Sequence, residues 1–380
     1  MTHTTFVARE QELARLEQFL DRARGGQGQV CFAVGGAGSG KTALVREFIR
    51  RAQAQHADLI AAVGQSDAET GLGDPYLPFR EILAQLAGDV EGQVSKGTIT
   101  AENASRLHQF LGVSLQALVE VGPDLIGVFL PGAGLATRLG VFAAEKAGWV
   151  DKLEGLVRRP QQTVDPASTG LDQNHIFEQY TNVLRTLAAQ QPLVVVLDDL
   201  HWADLASTGL LFRLGRRIGD SRILIIGTYR PDEVAIGRRS PATGQVERHP
   251  LEKVLAEFKR YFGELAIDLT ASDQRFVDAL LDAESNRLGA EFRQALYHHT
   301  GGNPLFTIEL LRDMQERGDI VSDKWGRWVV GPSLNWSRLP ARIEGVIEER
   351  IGRLEDELRE VLTLASVEGE AFTAEVVARL

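Results

Sequence analysis

Cysteine is almost missing: one thiol, Cys31, stands in 380 residues. That excludes an intramolecular disulfide and suits a reducing compartment. Cys31 falls in the apolar run Gln29 to Val34, where a small buried hydrophobe is the expected role. An excess of cations is missing too. The chain carries 41 Lys and Arg against 52 Asp and Glu, a formal net charge of −11. A surface that grips nucleic-acid phosphates needs clustered cations, so none is expected on this segment. The local basic clusters Arg248-His249-Pro250 and Lys259-Arg260 read as solvated faces. Nor is there a clean apolar run of about 20 residues, the length that spans a membrane. The most apolar stretch, Leu111 to Trp149, is broken by Glu120, Asp124, Pro131 and Arg138. It reads as a buried helical subdomain rather than a membrane-touching hairpin. The N-terminus, with Arg9, Glu10 and Glu12, lacks the apolar core of a signal peptide. A cytoplasmic location is therefore expected.

A chain of this length exceeds one small core and suggests two or three domains. Residues 9–24 place Leu13, Leu16, Phe19 and Leu20 on one helical stripe. Strands are predicted at Gln29–Val34, Asp58–Val63, Leu193–Leu197, Arg222–Gly227 and Leu265–Leu269, with helices at Phe79–Leu86, Ile176–Ala189 and about 206–218. Strands alternating with helices mean a parallel sheet covered on both faces. Residues 88–172 read as a helical insertion of short pieces, with a flexible loop over Thr163–Gly170. From Ser272 the pattern turns helical: Asp273–Leu281, Ala290–His298 and Leu305–Glu316. A hairpin follows around Asp323-Lys324-Trp325-Gly326, then two more helices over Ile343–Leu364. Trp325, Trp328 and Trp336 are expected to pack in the core of that region. The chain ends in a helical pattern without a cap signal, which suggests a natural protein that continues.

Gly35-Gly36-Ala37-Gly38-Ser39-Gly40-Lys41-Thr42 is a complete G-x-x-x-x-G-K-[ST] phosphate-binding loop. Its glycines let the backbone turn tightly and aim N–H groups at phosphate oxygens. Lys41 can reach the β- and γ-phosphates, and the Thr42 hydroxyl can ligate Mg²⁺. A strand precedes the loop and a helix follows, so the phosphates would lie on a helix N-terminus. The ligand class is therefore a nucleoside triphosphate. The second element is Asp198-Asp199 after the buried strand: Asp198 is the candidate Mg²⁺ residue and Asp199 the candidate that polarises water. The third is Arg230, at the end of the neighbouring strand and placed to report the γ-phosphate. The competing reading for Arg230 is a structural ion pair with a nearby acid. No zinc-ligand spacing accompanies His298-His299 or the other histidines, and no metal beyond Mg²⁺ is expected.

With these motifs the chain resembles the STAND class of signal-transduction ATPases, within the wider AAA+ group. Phe6-Val7-Ala8-Arg9-Glu10-Gln11-Glu12-Leu13 is similar to the family's F-V-G-R-E-x-E-L opening, with Ala8 in place of the usual Gly. Val196-Leu197-Asp198-Asp199-Leu200-His201-Trp202-Ala203-Asp204 resembles the variant in large bacterial regulators of the maltose-activator and LuxR type. Gly227-Thr228-Tyr229-Arg230 resembles their sensor-1 element, and Gly301-Gly302-Asn303-Pro304-Leu305-Phe306 their G-x-P element. Asp74-Pro75-Tyr76-Leu77-Pro78-Phe79 recurs in one branch of the class. The resemblance implies that Arg9 and Pro304 lie near the base of the nucleotide. Packing behind the acid pair is the expected role of Trp202; His201 is expected to pack as well, with a catalytic or sensor role kept open.

The expected architecture is an α/β P-loop NTPase: a three-layer parallel sheet over residues 1–270, an α-helical lid subdomain with the hairpin at 271–335, and the start of a winged helix at 336–380. The expected function is an ATP/ADP switch with slow hydrolysis and nucleotide-dependent self-association. Kept beside it are an ATPase module of a transcription activator whose DNA-binding domain lies elsewhere, and a defence sensor fused to an effector. A fast motor ATPase would need a translocating loop and an Arg finger, and neither is identifiable.

Overall fold

Five short strands form one parallel sheet, and the four longer ones are apolar runs long enough to bury both faces. The computed structural model describes residues 6–67, 75–130, 170–239, 246–270, 274–336, 341–352, 354 and 356–366. The strands are β1 (Gln29–Val34), β2 (Ile60–Gln65), β3 (Leu193–Asp198), β4 (Ile223–Tyr229) and the short strand Ala266–Asp268. Their order is β2-β3-β4-β1, with Ala266–Asp268 at the edge beyond β1. All six residues of β3 are buried, as are six of seven in β4. The register sets Leu197 beside Gly227 and Val34 beside Tyr229, so the carboxyl ends of β3, β4 and β1 come level. In open parallel sheets this edge is where ligands bind.

Helix α1 (Glu10–Arg24) lies against β1 and β4, as does α2 (Lys41–Gln55). Helix α3 (Leu77–Leu86) covers β2 and β3. Three further helices, α4 (Glu91–Ser95), α5 (Ala101–Val121) and α6 (Pro123–Phe129), make up the described part of the predicted insertion. Helix α5 turns its apolar stripe, including Leu107, Phe110, Leu115 and Leu118, inward. It packs on α7 (Gly170–Gln190), which also lies against β3 and β4. Among the described residues no single helix is long and apolar enough to cross a membrane; only α5 and α6 together meet that length, and they are bent by 106°.

The chain divides into two compact units. One comprises Arg9–Gly36 and Gly40–Ala271 and holds the sheet. The other comprises Met1–Ala8, Ala37–Ser39 and Ser272–Leu380. Its core gathers Val277, Leu281, Leu296, Leu311 and Met314, with Val7 and Ala8 packed against them. Ala8 sits at φ +56°, a left-handed conformation that costs a side-chain-bearing residue about 1–2 kcal/mol. The family's glycine at this position fits that geometry. Within this unit Asn303 caps the helix Pro304–Arg317, accepting from Leu305 N at 3.0 Å and Phe306 N at 3.3 Å. The Asn303 Nδ2 donates to Ala37 O at 3.0 Å, and Leu305 N donates to Gly38 O at 3.2 Å.

The hairpin pairs Ile320–Ser322 with Trp328–Val330. Its tryptophans do not behave alike. Trp328 packs on the core and Trp336 stacks on His299, ring centroids 5.0 Å apart. Trp325, expected in the core, is instead 63% exposed at the hairpin tip. It lies under the Lys324 ammonium at 4.1 Å and the Arg327 guanidinium at 4.5 Å, because the turn points its ring away from the core. Helices follow at Ala341–Gly352 and Asp356–Ala365. The expected loop at 163–169, Asp74 and the chain end at 367–380 lie outside the described residues.

Candidate active site

The phosphate-binding loop leaves β1 and enters α2 at Lys41. Two of its glycines need their freedom: Gly38 stands at φ +73° and Gly40, the helix N-cap, at φ +90°. That path returns the Lys41 side chain over its own loop. Its Nζ donates to Gly35 O and Gly36 O, both at 3.0 Å. Burial holds the Lys41 ammonium below its ordinary pKa, and the Asp199 carboxylate pulls the other way. The charge is thus poised in a dry site that offers it carbonyl oxygens and two acids.

The two acids at the end of β3 have different surroundings. Asp198 is 5% exposed. Its Oδ2 accepts from Thr42 Oγ1 at 2.9 Å and its Oδ1 from Thr228 Oγ1 at 2.5 Å. Asp199 turns the chain at φ +55°, a conformation Asp tolerates better than most residues. Its N–H donates to Thr228 Oγ1 at 2.9 Å. Burial pushes the Asp199 carboxyl up to about 6, and neighbouring Asp198 adds to the shift. One acid is therefore held by hydroxyls beside the loop, while the other titrates near neutrality, as a general base requires.

Arg230 follows β4. Its Nη1 lies 2.6 Å from Glu233 Oε1. Its Nε is buried with no hydrogen-bond partner. Ser39 Oγ in the loop is likewise buried with no hydrogen-bond partner. A buried donor without an acceptor costs free energy, so the Arg230 guanidinium has hydrogen-bonding capacity left to satisfy. The Thr42 hydroxyl and Asp198 carboxylate form a hard-oxygen donor pair, the chemistry Mg²⁺ prefers.

Lys41, Thr42, Asp198, Asp199 and Arg230 lie close enough to one another to interact through hydrogen bonds and charge. Arg9, assigned to the base, is the N-cap of α1, is buried, and pairs with Glu12 Oε1 at 2.7 Å. Pro304 opens its helix after Asn303. Three groups were missed or undervalued. Thr228 is fully buried and joins both acids. Glu233 holds Arg230. His201, with no side-chain exposure, lies between Asp199 (3.8 Å) and Glu233 (3.6 Å). The β3–β4 register could have found Thr228: Leu197 faces Gly227, so the next residue on each strand is Asp198 and Thr228.

Thr228→Val should cost about 1–3 kcal/mol of stability, since the same-sized apolar side chain strands a buried carboxylate and a buried N–H. Urea unfolding of the two proteins measures it. An unchanged midpoint and slope would show that Thr228 does not support the acids.

A phosphate-binding loop after β1, an acid-tipped β3 with β4 between the two, and a parallel sheet together define a P-loop ATPase. The AAA ATPase domain family matches residues 5–226, and the chain belongs to that family. The fold is that of a P-loop NTPase, and the chain is an ATPase domain that binds nucleotide. It is 24% identical over 367 residues to an uncharacterized protein of Rhizobium meliloti (strain 1021), covering 97% of this chain and 30% of that one. It is 33% identical over 138 residues to the DNA repair protein RecO of Pseudomonas entomophila (strain L48), covering 36% of this chain and 52% of the relative. The chain thus spans a third to a half of the length of these relatives. Among solved structures, a Walker-type ATPase of Pyrococcus abyssi is 13% identical with TM-score 0.38, covering 95% of this chain and 77% of that one.

Proposed function

We propose that this ATPase works as a nucleotide-controlled switch of the STAND type, in which bound ATP or ADP sets conformation and hydrolysis resets it. Arg230 carries the reading. It ends the strand beside Asp198, and its charge is felt at both Lys41 and Asp199. A residue so placed distinguishes nucleotides by the phosphate that only ATP has. A ligand shifts a conformational equilibrium only by its differential affinity, so such a contact is what a switch requires.

The roles follow from the surroundings. The loop residues Gly35 to Thr42 wrap the phosphates. Lys41 neutralises phosphate charge. Thr42 and Asp198 are the residues that would hold Mg²⁺, which supplies further charge neutralisation when bound. Asp199 accepts the proton of the attacking water. By family resemblance Arg9 and Pro304 serve the base. Self-association on ATP binding, a cytoplasmic setting, and sensor or output domains elsewhere in a longer protein belong to the same reading. The output, DNA-binding domain or effector, would lie in those domains. A nucleic-acid track on this segment is disfavoured by the net charge of −11, although one stretch is similar to DNA repair proteins.

Arg230→Ala should leave ADP affinity nearly unchanged and weaken binding of a non-hydrolysable ATP analogue about tenfold, the scale of one charge-assisted hydrogen bond. Calorimetric titration of both ligands reads this. The variant should also lose analogue-driven self-association in light scattering. A lower melting temperature with an intact ATP-to-ADP ratio would instead make Arg230 a structural residue and sink the switch reading.

A further inference from the structure

Glu233 was invisible as a site residue in the sequence, yet it pairs with Arg230 and acts on the charged groups around it. Pro231 opens the short helix Pro231–Ile236 directly after Arg230. One turn later Glu233 comes back over the strand end, so the i, i+3 spacing delivers its carboxylate to the guanidinium. The Nη1–Oε1 distance is 2.6 Å, and the two side chains are only 23% and 20% exposed. An exposed pair of this spacing contributes little. This one is largely out of water, where opposite charges bind more strongly. Its reach extends beyond Arg230. Glu233 acts electrostatically on Lys41 and on Asp199, and its second oxygen lies 3.6 Å from His201 Nε2.

We propose that Glu233 is a specificity-determining residue of the nucleotide site, holding Arg230 in an ion pair that the terminal phosphate of a nucleoside triphosphate must outcompete. This rests on the sensing role proposed for Arg230. Arginine cannot discard its charge at any physiological pH. The guanidinium therefore exchanges one anionic partner for another or shares itself between them. Its buried Nε has no hydrogen-bond partner, so its donor capacity is not exhausted, while Nη1 is held by Glu233. A diphosphate lacks the competing group and leaves the pair intact. The carboxylate thus costs ATP some affinity and costs ADP little. Glu233 is a positioning residue here: it acts on the nucleotide through Arg230.

The experiment uses the full chain and four proteins: wild type, Glu233→Gln, Arg230→Ala and the double variant. A non-hydrolysable ATP analogue and ADP are titrated calorimetrically into each, and thermal melts check folding. Glu233→Gln should bind the analogue about tenfold more tightly than wild type, the scale of one charge-assisted hydrogen bond, with ADP affinity within about twofold. The double variant should match Arg230→Ala, because without the arginine there is nothing to release. An unchanged or lower ATP-to-ADP ratio in a folded Glu233→Gln protein overturns the proposal. So does a gain that persists in the double variant, since that would mark direct repulsion between Glu233 and the phosphate. If Arg230→Ala alone keeps the wild-type ratio, the sensor assignment itself fails and the role given to Glu233 falls with it. The single variants therefore tell the two failures apart.

Discussion

Lys41→Ala should weaken binding of ATP and ADP by about 10- to 150-fold, the loss of a charge-assisted contact of about 1.5–3 kcal/mol. The physical basis is the setting of the ammonium. It is 6% exposed, and in this structure its donors are spent on Gly35 O and Gly36 O. Phosphate oxygens are stronger acceptors than these carbonyls, and a buried cation gains more from them than a solvated one. Both nucleotides should suffer, because the lysine serves phosphates that ATP and ADP share. Folding should survive. Alanine favours helices, and the variant removes a charge whose burial is already unfavourable, as the downward shift of the Lys41 pKa shows. Calorimetric titration, with a thermal melt as control, reads both effects. Unchanged affinity for both nucleotides in a folded variant would show that this loop is not the site.

Much of the sheet was legible because parallel strands buried on both faces need continuous apolar runs. Gln29–Val34 is a strand over the predicted residues, and Leu193–Leu197 extends by one to include Asp198. Strand β2 was less legible. Expected at 58–63, it spans 60–65, since Ala-Ala-Val-Gly-Gln carries no stop signal and pairing with β3 sets its ends, Ile60 beside Leu193 and Gln65 beside Asp198. Lys41, Thr42, Asp198 and Asp199 were legible because phosphate chemistry ties them to local spacing. Glu233 was not, because its role depends on the direction taken by a six-residue helix after β4. His201 could be singled out but not placed: only the fold shows a side chain wholly enclosed between two carboxylates. Trp325 failed in the opposite sense. Aromatic character suggested burial, but the turn geometry at Asp323 to Gly326 decided its direction.

Asp199→Asn should slow hydrolysis at least about 100-fold, the usual scale of a general base, while ATP stays bound. The substitution keeps size and suits the φ of +55° at this position, which asparagine adopts as readily as aspartate. It removes only the charge. That charge is costly in the folded protein: burial, with Asp198 beside it, raises the carboxyl from 3.8 to about 6. The consequence for stability has a definite sign. At pH below about 4 the carboxyl is protonated in both folded and unfolded chains. Between about 4 and 6 the unfolded chain releases the proton while the folded one keeps it, so wild-type stability falls as pH rises and levels off above about 6. Asparagine escapes that loss. In nucleotide-free, Mg²⁺-free buffer at pH 7.5 the variant should therefore be more stable than wild type by on the order of 2–3 kcal/mol, and the difference should vanish below about pH 3. Wild-type hydrolysis should rise through about pH 6, where the folded base ionises. Phosphate release and urea unfolding, each followed against pH, test both halves. A variant that hydrolyses ATP at the wild-type rate would remove Asp199 from the chemistry. One that is equally inactive but less stable at pH 7.5 would show that the carboxylate serves the fold, with the hydrolytic defect secondary to that loss.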